Sequence, residues 1–266
     1  MTDTVVTERR GEILVVTINR PQARNAVDSP TARKLGQTFV DFDSDDSLKI
    51  AVLTGAGGTF CAGADLKAVG DGTFEPTPPP APPIDRHESR APMGPSYLRL
   101  RKPVIAAVSG YAVAGGLELA LWCDMRVVDQ DATFGVYCRR WGVPLIDGGT
   151  VRLPRLIGHS HAMDMILTGR AVDADEAKQM GLANRVVPAG TSLEAAVELA
   201  QQIAQFPQSC LRTDRRSAIE QWDLDFEAAM HNEGLLGDTT LRSGESREGA
   251  RRFSSGKGRG GVFDNI

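Results

Sequence analysis

The chain has 266 residues with 30 basic and 34 acidic side chains, and its net charge of −4 argues against nucleic acid as the main partner. A composition of 41% hydrophobic and 24% charged residues excludes global disorder and fits one large domain or one domain with an appendage. Four scattered cysteines without a C-x-x-C pair indicate neither a zinc site nor a disulfide framework. The opening residues lack the apolar core of a signal peptide, so a reducing cytoplasm is the expected compartment.

Glu12 to Asn19 is a β-branched run closed by Arg20-Pro21, which predicts a strand. Ser29-Pro30 reads as an N-cap with proline at the first helical position, and Leu35, Phe39 and Phe42 follow at helical spacing. Ile50 to Thr54 is a second strand running into the glycine-rich loop Gly55-Ala-Gly-Gly58. This order predicts a layered α/β fold. Between Gly70 and Pro95 the pattern breaks, and Phe74 to Pro83, rich in proline, reads as an exposed, solvated loop, its alternative being a lid over the substrate. Ser96 to Arg101 is expected as a short helix, Val104 to Val108 as a strand, Gly115 to Trp122 as a helix and Met125 to Val128 as a strand. The apolar stretch Val104–Cys123 matches a membrane span in length, but paired glycines and Glu118 near its middle argue against one. The remainder reads as mainly helical. Thr191-Ser-Leu-Glu194 matches a capping box, and Asp173 precedes Glu176 in a similar arrangement. Trp222, Phe226 and Met230 form an apolar stripe on a later helix, facing either the core or another subunit.

Two glycine-containing turns carry the chemistry. Thr59-Phe-Cys-Ala-Gly-Ala-Asp-Leu-Lys67 follows a strand and is expected to open a short helix near Ala64. Ser109-Gly-Tyr-Ala-Val-Ala-Gly-Gly-Leu-Glu-Leu119 repeats the pattern with one acidic residue. Strand-to-helix turns present free backbone N–H groups at the positive end of a helix dipole, and small residues let a ligand approach them. Two such turns converging on one oxygen form an oxyanion hole. Glu118, one helical turn past Gly115, stays beside the atom held there and is suited to moving protons at adjacent carbons. Its alternative role is a dipole-stabilising helix glutamate.

Asn19-Arg-Pro21 with Arg24-Asn-Ala26, Phe60 to Leu66, and Gly110 to Leu119 with Cys123-Asp124 together resemble the enoyl-CoA hydratase (crotonase) superfamily. Gly148 to Arg155, Leu167 to Arg170 and Ala177 to Ala183 extend the likeness over nearly the whole chain. The resemblance implies an α/β crotonase-type spiral of ββα units, with a core domain at 1–200 and a helical oligomerisation region at 201–266. It implies a homotrimer or dimer of trimers, and a coenzyme A thioester as substrate with no bound cofactor. It places the oxyanion amides on Ala64 and Gly115 and lays Ala62, Ala64, Asp65, Leu66 and Lys67 along the coenzyme A moiety. Lys67 and Arg24 become phosphate partners, whereas Lys257 and Arg259 read as a solvated basic tail.

The resemblance fails at one position. Hydratases of this superfamily use two glutamates; one falls on Glu118 and the other on Cys138, which is no comparable acid. Cys138 is read as lining the pocket, because no histidine stands near it in sequence to activate a thiol. Asp147 is the candidate second catalytic acid/base, its alternative role being to cap the following helix. The expected function is hydration of a 2-enoyl-CoA, with double-bond isomerisation or a non-catalytic acyl-CoA binder as alternatives. No dinucleotide fingerprint, P-loop or G-x-S-x-G elbow occurs, and no Ser–His–Asp set can be assembled.

Overall fold

The computed structural model describes residues 3–75, 91–258 and 260; two compact units divide the chain, Met1–Ala200 and Gln201–Ile266. The first unit opens with β1 (Val5–Arg10), β2 (Ile13–Ile18), α1 (Ser29–Ser44), β3 (Ile50–Gly55) and α2 (Leu66–Gly70). Then come β4 (Val104–Val108), β5 (Tyr111–Val113), α3 (Gly115–Trp122), β6 (Met125–Asp129) and β7 (Thr133–Gly135). It closes with α4 (Gly149–Ile157), α5 (His159–Thr168), β8 (Ala171–Asp173), α6 (Ala174–Gln179), β9 (Arg185–Val187) and α7 (Ser192–Ala204), whose last residues enter the second unit. That unit holds α8 (Gln208–Glu220), α9 (Phe226–Ser243) and α10 (Glu245–Ser254).

Strands β1-β2-β3-β4-β6-β9 form a sheet that is parallel except for the β1–β2 hairpin, and β5-β7-β8 form a smaller one. Each turn of the spiral spends one long strand in the large sheet, a short one in the small sheet, and then a helix. β4, β5 and α3 make one such turn; β6, β7 and α4 make the next. In the turn before them Cys61 stands in for the short strand, bridging in parallel to Ala112 ahead of α2. The central strands are buried on both faces, which is why β3 and β4 read as continuous apolar runs rather than alternating ones. The span-length stretch Val104–Cys123 is thus β4, β5 and α3, and among the described residues no helix is long and apolar enough to cross a membrane.

Several local expectations change. Asp28, not Ser29, caps α1, its carboxylate accepting from Thr31 N (3.0 Å), so Pro30 occupies the second helical position. Past the 3-10 turn Pro95–Tyr97, the expected helix to Arg101 does not form. Asp43 accepts from Arg101 N (2.8 Å) and Leu98 O from the Trp122 indole (3.0 Å), and these tertiary bonds hold the segment extended. The capping box at Thr191–Glu194 is also absent. Asp129 Oδ1 takes the amides of Thr191 and Ser192 (3.1 and 2.8 Å), Thr191 Oγ1 donates to Pro188 O, and Glu194 reaches Arg10. Asp173 does cap α6, accepting from Glu176 N (2.8 Å). The first strand, β1, went unpredicted, because only Val5 of its six residues is buried. Of the proline-rich stretch, residues 76–83 lie outside the described residues, as does Arg259.

The second unit is a helical assembly in which Asp225 caps α9 through Ala228 N (2.8 Å). Phe226 and Met230 lie on α9 and are exposed, while Trp222 sits on the preceding 3-10 turn rather than on the same helix. The stripe does not turn into the unit's own interior.

A buried cation closes the C-terminal end of α3. Arg126 is 2% exposed, and its guanidinium donates to the carbonyls of Ala120 (3.1 Å), Cys123 (2.8 Å) and Leu182 (2.7 Å). It therefore takes up carbonyls that α3 leaves unpaired at its C-terminal end, where the helix dipole favours positive charge. Replacing Arg126 by alanine strands those acceptors in the interior and is expected to cost about 3 kcal/mol or more. Urea denaturation of the variant measures it; a loss below about 1 kcal/mol would contradict this role.

Candidate active site

The small sheet sets three exits of the spiral side by side. Cys61 N donates to Tyr111 O (2.9 Å), Val113 N to Cys61 O (3.1 Å) and Ala114 N to Gly135 O (2.9 Å). Ala64 and Gly115 each lie three residues beyond the paired positions Cys61 and Ala112, and Cys138 lies four beyond Phe134, the next residue in the row. Topology alone therefore gathers the three turns.

Both turns leave an amide unused. Ala64 bridges Val27, but the bonds run from Val27 N to Gly63 O (2.8 Å) and from Asp65 N to Val27 O (2.9 Å). Gly115 is the first residue of α3, where no intrahelical acceptor exists. Neither N–H has an acceptor among the described residues. Gly63 adopts φ +99°, and a methyl group there would lie 2.9 Å from both Gly115 N and Ala114 Cβ, so the two turns touch. Ala114 itself holds φ 54° and ψ −125°, a conformation costly for a residue with a side chain, by about 1–3 kcal/mol. The bonds from Ala114 N to Gly135 O and from Glu118 N to Ala114 O (3.2 Å) hold it there and aim the following peptide. The helix after Ala64 starts later than expected, at Leu66, with Asp65 as its cap.

Glu118 is 2% exposed. Its Oε1 accepts from the amides of Asp147 (2.9 Å) and Gly149 (2.8 Å), while Oε2 has no hydrogen-bond partner among the described residues. One oxygen is fixed and the other is available. Burial, then repulsion from Asp147, raises its pKa from near 4.5 to about 7, against the pull of the two amides and of Arg152. A carboxyl group poised there can both take and return a proton near neutral pH.

Asp147 is equally buried but does not cap α4, whose N-cap is Gly148 with no side-chain cap bond. Its Oδ1 accepts from Met93 N (2.9 Å) and from the hydroxyl of Ser96. Burial raises its pKa, opposed by Ser96, Met93 N and Arg152. Arg152 donates to Asp147 O (2.9 Å) and Ser96 O (2.6 Å), and Tyr97 donates its hydroxyl to Ile146 O (2.5 Å). Cys138 is buried; desolvation and the charge of Glu118 push its thiol pKa up, which suits a neutral wall and not a nucleophile. Ser96 and Arg152 were missed by sequence reasoning. Only the likeness of Gly148–Arg155 to a known motif singled out the stretch containing Arg152, and nothing local marks Ser96.

The stretch Ala62–Lys67 runs past this site with Ala62 N on Arg24 O (3.0 Å). Arg24 and Lys67 are exposed and flank it. The Asp65 carboxylate is engaged, capping Lys67 N and Ala68 N and pairing with Arg20 (2.9 Å). Burial opposes its ionisation, yet the Arg20 hydrogen bond and these amides hold its pKa below the usual range. Among the described residues no group of three or more His, Cys, Asp or Glu side chains is arranged to hold a metal ion.

Residues 8–257 match the family model described as enoyl-CoA hydratase/isomerase. An enoyl-CoA hydratase of Mycobacterium tuberculosis is 39% identical over 254 residues, covering 93% of this chain and 92% of that protein. A carnitinyl-CoA dehydratase of Proteus mirabilis is 41% identical over 196 residues, 73% of this chain and 72% of its own. A crystal structure of enoyl-CoA hydratase from Mycobacterium tuberculosis superposes with a TM-score of 0.86 at 35% identity, covering 95% of this chain and 96% of that one. The α/β spiral expected from the motifs is the fold of these structures.

The raised pKa of Glu118 has a thermodynamic consequence. The folded protein holds this proton more tightly than the unfolded chain, so stability falls as pH rises from about 4.5 through about 7. A glutamine at this position keeps the acceptor for both amides and carries no charge. Glu118→Gln is expected to be more stable than the parent by up to about 3 kcal/mol at pH 8, the gain fading toward pH 4.5. Urea denaturation across that range checks it; a pH-independent difference would contradict the raised pKa.

Proposed function

This chain belongs to the enoyl-CoA hydratase/isomerase family, the crotonase superfamily, and we propose that its site adds water across the conjugated double bond of a 2-enoyl-CoA. The observation that carries this reading is a pair of acceptor-free amides, Ala64 N and Gly115 N, beside a carboxylate with one oxygen free.

The thioester oxygen sits between the two amides, whose donors strengthen as negative charge develops on it; one such donor is worth about 10²–10³ in rate. Oε2 of Glu118 takes a proton from water as the water oxygen bonds to C3, and the double-bond electrons move onto the thioester oxygen. The enolate then collapses, and C2 takes the proton that Glu118 holds. One water is consumed, its hydroxyl ending on C3 and its proton on C2, and Glu118 is regenerated as a carboxylate. The reverse sequence eliminates water.

Ala62 to Lys67 lines the coenzyme A arm mainly through its backbone, because Asp65 is tied to Arg20. Lys67 and Arg24 supply positive charge to the phosphates. Cys138 bounds the acyl side. The substrate is itself the coenzyme A thioester, and no resident cofactor enters any step. Assembly as a trimer or pair of trimers belongs to the same proposal, with exposed Phe226 and Met230 on α9 as apolar surface suited to a second copy.

The isomerase alternative draws on the same single carboxylate, and the assay separates the two. Hydration removes the absorbance of the conjugated enoyl thioester, whereas isomerisation of a 3-enoyl thioester creates it. The account predicts loss of absorbance with the 2-enoyl substrate and a rate that rises with pH through about 7 as Glu118 ionises. Glu118→Gln is expected to lower turnover about 10²–10⁴-fold. Unchanged turnover would remove Glu118 from the mechanism.

A further inference from the structure

Glu118 is aimed by main-chain amides of the loop before α4, so its position depends on what fixes that loop. Its Oε1 holds the amides of Asp147 and Gly149, two residues apart. Gly148 between them has φ +96° and offers no side chain to anchor the turn. The anchor comes from a remote segment. The buried Oδ1 of Asp147 accepts from Met93 N and the Ser96 hydroxyl, and Ser96 is fully buried. Arg152 closes the same junction from α4, spanning Asp147 O (2.9 Å) and Ser96 O (2.6 Å). Tyr97 adds a bond to Ile146 O (2.5 Å). The same segment touches the other half of the site, because Met93 packs on Gly115, where an added methyl group would meet its sulfur at 2.6 Å.

We propose that Ser96 and Asp147 form a positioning latch that fixes the loop whose amides hold Glu118, with Glu118 as the only side chain that carries a proton. This rests on the hydratase reading above and assigns Asp147 a role other than second acid/base. The Asp147 oxygen that bonds Ser96 and Met93 is spent as an acceptor, and its backbone N–H is spent on Glu118. Nothing in this role needs Asp147 to exchange a proton. Asparagine keeps an oxygen acceptor for Ser96 and Met93 N, so it preserves the latch while abolishing any acid/base capacity.

The charged groups facing Glu118 are Asp147 from the loop and Arg152 from α4, and the neutral titratable groups facing it are Tyr97 from the 95–97 turn and Cys138 from the 137–141 turn. Removing the Asp147 charge lessens the repulsion on Glu118, so the acid limb of the rate profile moves to lower pH. The test compares kcat, KM and pH profiles for the parent, Ser96→Ala, Asp147→Asn, Asp147→Ala and Glu118→Gln with a 2-enoyl-CoA.

Expected are kcat losses of about 10–100-fold in Ser96→Ala and Asp147→Ala with KM within about threefold of the parent, as for a misplaced proton carrier. Asp147→Asn is expected within about tenfold of the parent, its acid limb displaced downward. If Asp147→Asn falls as low as Glu118→Gln while Ser96→Ala keeps its rate, Asp147 carries a proton itself and the latch is overturned. Parental kcat and an unmoved pH profile in all three latch variants would overturn it as well. Undiminished turnover in Glu118→Gln would instead reject the underlying hydratase reading, and the latch with it.

Discussion

The close approach of the Gly63 turn to the start of α3 is the constraint from which the candidate active site follows. No side chain fits between them: a methyl group on Gly63 would meet Gly115 N at 2.9 Å, and one on Gly116 would meet Cys61 O at 2.0 Å. Two donors that secondary structure leaves unsatisfied are thereby brought to one place. Unpaired N–H groups are costly when dry, and in the proposed reading a ligand oxygen satisfies both. The spiral supplies this geometry through register, since Ala64 and Gly115 stand at the same offset from the bridged pair Cys61 and Ala112. Ala114 in its unfavourable conformation is a local cost of the same arrangement.

The carboxylate beside these donors is held by opposing forces. Burial and the neighbouring Asp147 charge favour the protonated form of Glu118, while two amides and Arg152 favour the ionised form. The outcome is a group that titrates near neutrality, at the expense of stability whenever it is ionised. Arg126, at the opposite end of the same helix, works in the other direction by satisfying the carbonyls that α3 leaves open. Helix α3 is thus secured at its C-terminal end while the Gly115 amide in its first turn stays unpaired among the described residues.

What the sequence made legible divides along physical lines. The buried strands β3 and β4, the amphipathic α1 and the helix carrying Glu118 were readable, because apolar runs and helical spacing reflect burial directly. Elements decided by distant partners were not. The apparent box at Thr191–Glu194 yields to Asp129, 62 residues before Thr191, and the helix expected after Ser96 yields to Asp43 and Trp122. At the candidate site, the glycine turns and Glu118 were singled out through backbone logic and family likeness together. Asp147 was singled out as well, and its helix-cap alternative fails, because its carboxylate bonds Met93 and Ser96, 54 and 51 residues away in the chain. Ser96 has no local pattern at all, and Arg152 is marked only by the motif likeness of its stretch.

The most direct test is a crystal structure of the protein with an unreactive acyl-CoA analogue. The account predicts the thioester oxygen at about 2.7–3.2 Å from both Ala64 N and Gly115 N, with the free oxygen of Glu118 facing the C2–C3 bond. A carbonyl bound elsewhere, or bonded to neither amide, would contradict it.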